Sequence, residues 1–351
     1  MHLLENELYK ADIAAAAAIE FPWEKLKNKS LMITGASGMI GSFLIDLIMS
    51  KPEINCKIYA VVRNTEKARN RFGVYENSGL FEIISADINK PFEVGEDKID
   101  FIFHAASNTH PVAYATDPIG TITTNILGTY NLLEFAAAHK AERFVFASSV
   151  EVYGENRGDT DKFAEDYCGY IDCNTLRAGY PEGKRAGEAL CQAYIKQKGL
   201  DIVIPRLSRT YGPTMLMSDT KAISQFIKKG AAGEDIVLKS EGTQFYSYSY
   251  VADAVTGILA CLFYGKCGEA YNISDEHSDI TLRDLANVIA EYAGKSVVFD
   301  LPDETERAGY SKATKAILDS AKLNGLGWKA AYDMKSGLTR TVDILKAINN
   351  I

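Results

Sequence analysis

The stretch Thr34-Gly35-Ala36-Ser37-Gly38-Met39-Ile40-Gly41 restricts the fold more than any other part of the chain. It follows Ser30-Leu31-Met32-Ile33, which reads as a buried strand, and opens an apolar pattern over Met39–Met49 that reads as a helix. Glycines three apart at a strand-to-helix turn let the backbone approach a pyrophosphate, and the helix N-terminus offers N–H donors and positive potential. The spacing alone is a weak signal; the flanking strand and helix give it force. Gly35, Ser37, Gly38, Met39, Ile40 and Gly41 are therefore expected to hold a dinucleotide.

Strand-like and helical runs alternate after this point. Lys57–Val62, Phe81–Ile84, Phe101–Phe103, Arg143–Ala147 and Ile202–Ile204 are short and apolar enough for buried parallel strands. A long helix is expected over Pro118–Lys140 and another from about Tyr180 to Gly199, where Pro181 suits a first helical position. The alternation predicts an α/β fold: a Rossmann-type doubly wound parallel sheet over 29–206, with a sheet and helix return near 251–275. Residues 1–28, with Leu3, Leu4, Leu8, Ile13 and Ile19, precede it as a helical extension expected to pack against the body. Residues 207–351 are expected mainly to form a smaller C-terminal α/β substrate-binding lobe over the carboxyl ends of the strands. Its helices fit near 220–229, 252–264, 282–293 and 335–348, and its short strands near 236–238, 244–249, 270–273 and 297–300.

The strand ends supply further cofactor-site candidates. Arg63 stands at the end of the second strand, where an acidic residue usually takes the ribose hydroxyls. An arginine there can pair with a 2′-phosphate, which favours NADP over NAD. Asp87 and Ile88 lie beyond the third strand, where an adenine amino group is read. His104-Ala105-Ala106-Ser107 ends the fourth strand; its small residues let the backbone pass close to the cofactor, and His104 reads as a packing or hydrogen-bonding residue. Ser107 and Asn108 are expected to reach the substrate. Asn125, inside an apolar helix face, must have partners if buried, so it reads as a structural bridge.

Composition narrows the partners. A net charge of −8 without a basic block excludes nucleic acid, and no apolar run reaches membrane-spanning length. The Ala-rich start is too short for a signal peptide. Six cysteines without Cys-x-x-Cys spacing give no metal site and fit reduced, mostly buried thiols in a cytoplasm.

The chemistry concentrates in two segments. Ser148-Ser149-Val150-Glu151-Val152-Tyr153-Gly154 follows the fifth strand; if it stays extended, Ser149, Glu151 and Tyr153 share one side. Tyr180 and Lys184 are four apart on a helix and hence neighbours on one face. A free tyrosine has a pKa of roughly 10, and an ammonium beside it lowers that value. A serine hydroxyl can hold the substrate oxygen while the tyrosine moves its proton. Tyr246, Tyr248 and Tyr250 alternate on a strand, one face of them core.

Together, Thr34-Gly35-x-x-Gly38-x-x-Gly41, His104-Ala105-Ala106, Ser149, Val152-Tyr153-Gly154 and Tyr180-x-x-x-Lys184 resemble the extended short-chain dehydrogenase/reductase superfamily, in its NAD-dependent epimerase/dehydratase branch. The resemblance covers about residues 29 to 348. Arg177-Ala178-Gly179-Tyr180-Pro181-Glu182-Gly183-Lys184-Arg185 and Gly212-Pro213-x-Met215-x-Met217 are most similar to UDP-glucuronate decarboxylases. Glu151 matches a glutamate that acts near sugar C5 in decarboxylases and 4,6-dehydratases. The resemblance implies a homodimer that modifies a nucleotide-diphosphate sugar through transient C4 oxidation. In it Tyr180, Lys184 and Ser149 move the C4 hydroxyl proton, and a 4-keto intermediate is acidic at C5. The helices over 118–140 and after Tyr180 are its dimer candidates.

Four departures qualify the resemblance. Arg209 stands where the family usually has an asparagine on the diphosphate, and can restore one phosphate contact. Thr214 replaces the arginine of Gly-Pro-Arg. Tyr246 aligns with a later-strand arginine that binds phosphate or acts on the carboxylate, which argues against decarboxylation. Val150 replaces the acidic neighbour found in 4,6-dehydratases. The competing readings are an NADP-dependent carbonyl reductase, a C4 epimerase and a non-catalytic dinucleotide sensor.

Overall fold

Strand β1 (Ser30–Thr34) lies at the centre of an eight-stranded sheet, flanked by β2 (Lys57–Val62) and β3 (Phe81–Ser85) on one side and by β4 (Phe101–His104), β5 (Arg143–Phe146), β7 (Ile202–Leu207) and β11 (Ala270–Ile273) on the other. A two-residue strand, β6 (Ser148–Ser149), continues along β7. Every pairing in this sheet is parallel. A computed structural model describes residues 2–95, 98–109, 111–300 and 314–349 of the chain.

Parallel strands need helical crossovers, so both faces of the sheet are covered. One face carries α1 (Glu7–Ala17), α2 (Met39–Met49), α3 (Thr65–Phe72) and α9 (Val251–Tyr264), whose Phe43, Leu47, Val255 and Leu259 pack with Leu31 and Ile33. The other carries α6 (Thr129–Ala138) and α7 (Gly179–Lys198), whose Leu132, Leu133, Cys191 and Tyr194 pack with Met32, Ile102 and Phe144. The chain order reverses at β1, so the gap between β1 and β4 opens a crevice at the strand carboxyl ends.

The N-terminal extension is tied into this body. Asn6 caps α1 by accepting from Leu8 and Tyr9 N–H. Tyr9 donates to the buried Asp46 at 2.5 Å, which also pairs with Arg71. Asp12, fully buried, accepts from Tyr250 at 2.5 Å, Tyr332 at 2.8 Å and Arg340 at 2.8 Å.

The long helix expected over Pro118–Lys140 is three segments. Residues Pro118–Thr123 form α5, Thr124–Gly128 form a π turn and α6 follows, ending at Ala138 with Lys140 left-handed at φ 52°. Hydrophobic spacing cannot register this, because one extra residue in a turn shifts the stripe without erasing it. In α7, Pro181 is the third residue and not the first, still within the turn whose N–H groups have no intrahelical acceptor. The cysteines also depart from expectation: Cys56, Cys191 and Cys261 are buried, but Cys168, Cys173 and Cys267 are exposed.

The C-terminal part adds its own sheet. Strand β10 (Phe245–Tyr250) pairs with β12 (Asp279–Thr281), β14 (Lys315–Ala316) and β8 (Arg209–Tyr211), while β9 (Ile236–Leu238) pairs with β13 (Val297–Phe299). The helices α8 (Ala222–Ala232), α10 (Leu282–Ala293) and Met334–Asn349 pack around it.

Candidate active site

The glycine turn is built for a close approach. Gly35 has φ +68°, and a Cβ there would stand 2.9 Å from the Ala105 and Ala106 backbone. A Cβ on Gly41 would meet the Gly35 carbonyl at 2.6 Å, so α2 sits hard against the turn. Gly38 is the N-cap of α2 and no side chain caps it. The N–H groups of Met39, Ile40 and Gly41 in the first turn of α2 thus have no side-chain cap, and the half-buried Ser37 lies in the turn just before them, as a pyrophosphate cradle requires.

The neighbouring strand ends complete that wall. Arg63 is exposed just past β2. Asp87 is exposed and turns the chain by accepting from Asn89 N–H at 3.1 Å. Ile88 is buried against Gly128, and its carbonyl accepts from Asn131 at 2.9 Å. His104 bridges Thr34 at 2.8 Å and Thr129 at 3.1 Å; burial, then the charge of Lys184, pushes its pKa well down, so it is neutral. Ala105 and Ala106 are held by Thr34. Asn125 lies in the π turn, accepts from Ser107 Oγ at 3.0 Å and donates to the Thr121 carbonyl at 2.8 Å. Ser107 also reaches the Asn108 carbonyl.

The segment after β6 is not extended. Ser149 is the N-cap of a 3₁₀ turn over Val150–Tyr153, accepting from Glu151 N–H at 3.3 Å. Tyr153 therefore leaves the side that Ser149 occupies; it is wholly buried, donates to Asn272 at 2.6 Å and accepts from Arg206 at 2.9 Å. Glu151 stays in the crevice, paired with Arg177 at 2.9 Å.

Tyr180 and Lys184 share one face of α7, yet Lys184 is not what tunes the phenol. Its ammonium lies 5.9 Å from the Tyr180 ring centroid and donates to the Ala147 carbonyl at 2.8 Å. Burial drives the Lys184 pKa down to about 8, with Glu188 opposing the fall. Burial lifts Tyr180 to about 12; a hydrogen bond from Ser149 pulls it back, Glu151 pushes it up and Arg177 pulls it down. The expected lowering by Lys184 is thus supplied by Ser149 and Arg177.

Two residues that sequence reasoning did not single out complete the pocket. Tyr114 packs against Tyr180 with ring centroids 5.4 Å apart, and the Arg177 guanidinium lies over the Tyr114 ring at 4.7 Å. Arg177 lies in a 3₁₀ turn over Leu176–Ala178 that leads directly into α7, three residues before Tyr180; nothing local marks Tyr114. Arg209 lies on the Tyr246 ring at 3.5 Å. Tyr246 and Tyr248 are both buried, and the charges acting on the Tyr246 hydroxyl are Arg209, Glu151 and Arg177.

A pattern for the NAD dependent epimerase/dehydratase family matches residues 31–274. UDP-glucuronic acid decarboxylase 1 of Xenopus tropicalis is 33% identical, covering 92% of this chain and 73% of its own. UDP-glucuronic acid decarboxylase 3 of Arabidopsis thaliana is 31% identical over 89% of this chain and 87% of its own. UDP-glucuronic acid 4-epimerase from Bacillus cereus, solved with UDP-glucuronic acid and NAD, has a similar fold: TM-score 0.76, 23% identity, covering 91% of this chain and 99% of the other. The matched region contains the glycine turn, Ser149, Tyr180 and Lys184, and the chain belongs to the NAD-dependent epimerase/dehydratase family of enzymes.

Proposed function

We infer that this enzyme modifies a nucleotide-linked sugar by transient oxidation at C4, followed by chemistry at C5. The observation that carries the reading is the convergence of three groups: the Ser149 hydroxyl within hydrogen-bonding reach of the Tyr180 phenol, and the Glu151 carboxylate one 3₁₀ turn away. Tyr180 Oη takes the proton of the C4 hydroxyl while Ser149 holds the oxygen. Lys184, fixed on the Ala147 carbonyl, keeps a positive charge beneath the reacting centre. Hydride acceptance at C4 and its return are the chemistry a bound nicotinamide supplies. Once C4 is a ketone, Glu151, oriented by Arg177, takes the C5 proton. A carbonyl reductase needs no such carboxylate.

The glycine cradle and the bare α2 N-terminus fit a dinucleotide, and Arg63 favours NADP. Titration with both cofactors checks this; tighter NAD binding that Arg63→Ala leaves unaltered refutes the preference. Exposed Ile119, Leu127 and Tyr130 along α5–α6 form the apolar strip of a homodimer, and the unpaired cysteines suit the cytoplasm. The deciding experiment incubates wild type and Tyr180→Phe with a nucleotide-sugar panel read by mass and NMR. Tyr180→Phe should bind cofactor and turn over nothing; wild-type turnover by that variant ends the assignment.

A further inference from the structure

Helix α7 carries a third charged group in line with Tyr180 and Lys184. Glu188 stands one turn beyond Lys184 and two beyond Tyr180, on the same face of the helix. The chemistry above makes no use of it. Its Oε1 accepts from the Ser148 hydroxyl at 2.5 Å and from Arg206 Nε at 2.9 Å, and its Oε2 accepts from Arg206 Nη2 at 2.7 Å. Arg206 in turn donates through Nη1 to the Tyr153 hydroxyl at 2.9 Å and to the Glu165 carbonyl at 2.7 Å. The Arg206 and Glu188 side chains are 12% and 15% exposed.

Ser148 directly precedes Ser149, and Tyr153 closes the 3₁₀ turn that begins at Val150. One ion pair therefore grips the segment bearing Ser149 and Glu151 at both ends. The same helix holds that segment at two further points: Lys184 on the Ala147 carbonyl at 2.8 Å and Arg185 Nε on the Val152 carbonyl at 2.7 Å. The anchor is rooted in two strands, since Arg206 lies opposite Ser148 in the β6–β7 pair and opposite Asn272 in the β7–β11 pair, and Asn272 accepts from Tyr153 at 2.6 Å. Stability does not explain the two charges, because apolar side chains of similar volume often hold the place of a buried ion pair as well or better. A bidentate fork fixes direction as well as distance, which an apolar contact does not.

We propose that Glu188, acting through Ser148 and Arg206, is a positioning residue that sets Ser149 and Glu151 in register with Tyr180 for proton transfer. The inference rests on the roles given above to those three residues. Glu188 touches none of the reacting atoms; it ties the helix that carries the phenol to the turn that carries the hydroxyl and the carboxylate. A drift of about 1 Å between helix and turn is enough for a loss of rate on the order of 100-fold.

The test replaces the pair by apolar side chains, Glu188→Met with Arg206→Met, in cofactor-loaded protein. Amide hydrogen exchange is read by mass spectrometry on peptides covering residues 148–153, with no substrate present. Exchange there should quicken by about 10-fold or more, while the melting temperature holds and β1, β4 and β5 stay as protected as in wild type. With the nucleotide sugar that wild type turns over, kcat should fall about 10- to 100-fold, and KM and cofactor affinity should stay within about twofold. Unchanged exchange in the turn overturns the proposal. So does loosening spread evenly over the sheet, an unchanged kcat, or a loss confined to KM. If the double variant does not fold, Ser148→Ala and Tyr153→Phe each free one end of the segment. Each should quicken exchange in the turn and lower kcat about 3- to 10-fold, and wild-type behaviour in both also overturns the proposal. If wild type turns over none of the panel, the C4 and C5 reading fails, and the exchange measurement alone decides on Glu188.

Discussion

Lys184→Met should make the protein more stable and less active, and the gain should vanish at high pH. Lys184 is 2% exposed, and burial brings its pKa from an ordinary 10.5 to about 8. That drop corresponds to about 3 kcal/mol by which the folded state disfavours the ammonium. The folded value is below the unfolded one, so the unfolded chain binds the proton more tightly. The cost is full below pH 8, shrinks as the folded lysine deprotonates first, and is gone above 10.5. Linkage leaves about 1.4 kcal/mol of it at pH 9.5. Methionine fills similar space and forfeits the hydrogen bond to the Ala147 carbonyl, worth about 1 kcal/mol. Glu188 keeps its pairing with Arg206 at 2.7 Å, so the change strands no charge there. The variant should gain about 2 kcal/mol at pH 7 and almost nothing at pH 9.5. Urea unfolding of both proteins at the two pH values measures the gap. A variant less stable than wild type at pH 7, or a gap that ignores pH, refutes the argument.

In deuterated water the wild type should place deuterium at C5 of product or recovered substrate, and Glu151→Gln should slow that exchange by roughly 10²-fold; equal exchange in both proteins makes Glu151 structural. Arg177→Met removes a charge that lowers the Tyr180 pKa, so the rising limb of the pH–rate profile, which reports deprotonation of the phenol, should move to higher pH, and a fixed limb would dissociate Arg177 from the phenol. Gly35→Ala forces a Cβ to 2.9 Å from the Ala105 backbone at φ +68°, and should abolish cofactor binding with a stability loss of about 1–3 kcal/mol, checked by titration and thermal melting.

What the sequence disclosed was what local rules control. The glycine turn states its own geometry, because only residues without a Cβ fit between β1, α2 and Ala105. The parallel strands disclose themselves through short apolar runs buried on both faces. Tyr180 and Lys184 follow from helical spacing alone. The 3₁₀ turn that turns Tyr153 away was hidden, since a serine cap competes with extension over only a few residues. The lysine's effect was misjudged because spacing encodes neither the burial that lowers its pKa nor the Ala147 carbonyl to which its ammonium donates. Tyr114 under Arg177 and Tyr246 under Arg209 join segments far apart in the chain, so no local pattern marks them.

The π turn at Thr124–Gly128 is in effect a single inserted residue that the fold has put to use. Excising one residue there would let α5 and α6 run on as one uninterrupted α-helix, a gain in regularity. It would also rotate everything beyond by about 100° relative to everything before. Thr129 would swing off His104, or Asn125 off Ser107, and the two could not both be kept. A shortened relative should therefore be sturdy and blind to its dinucleotide, the opposite of the outcome a deletion in a helix ordinarily brings.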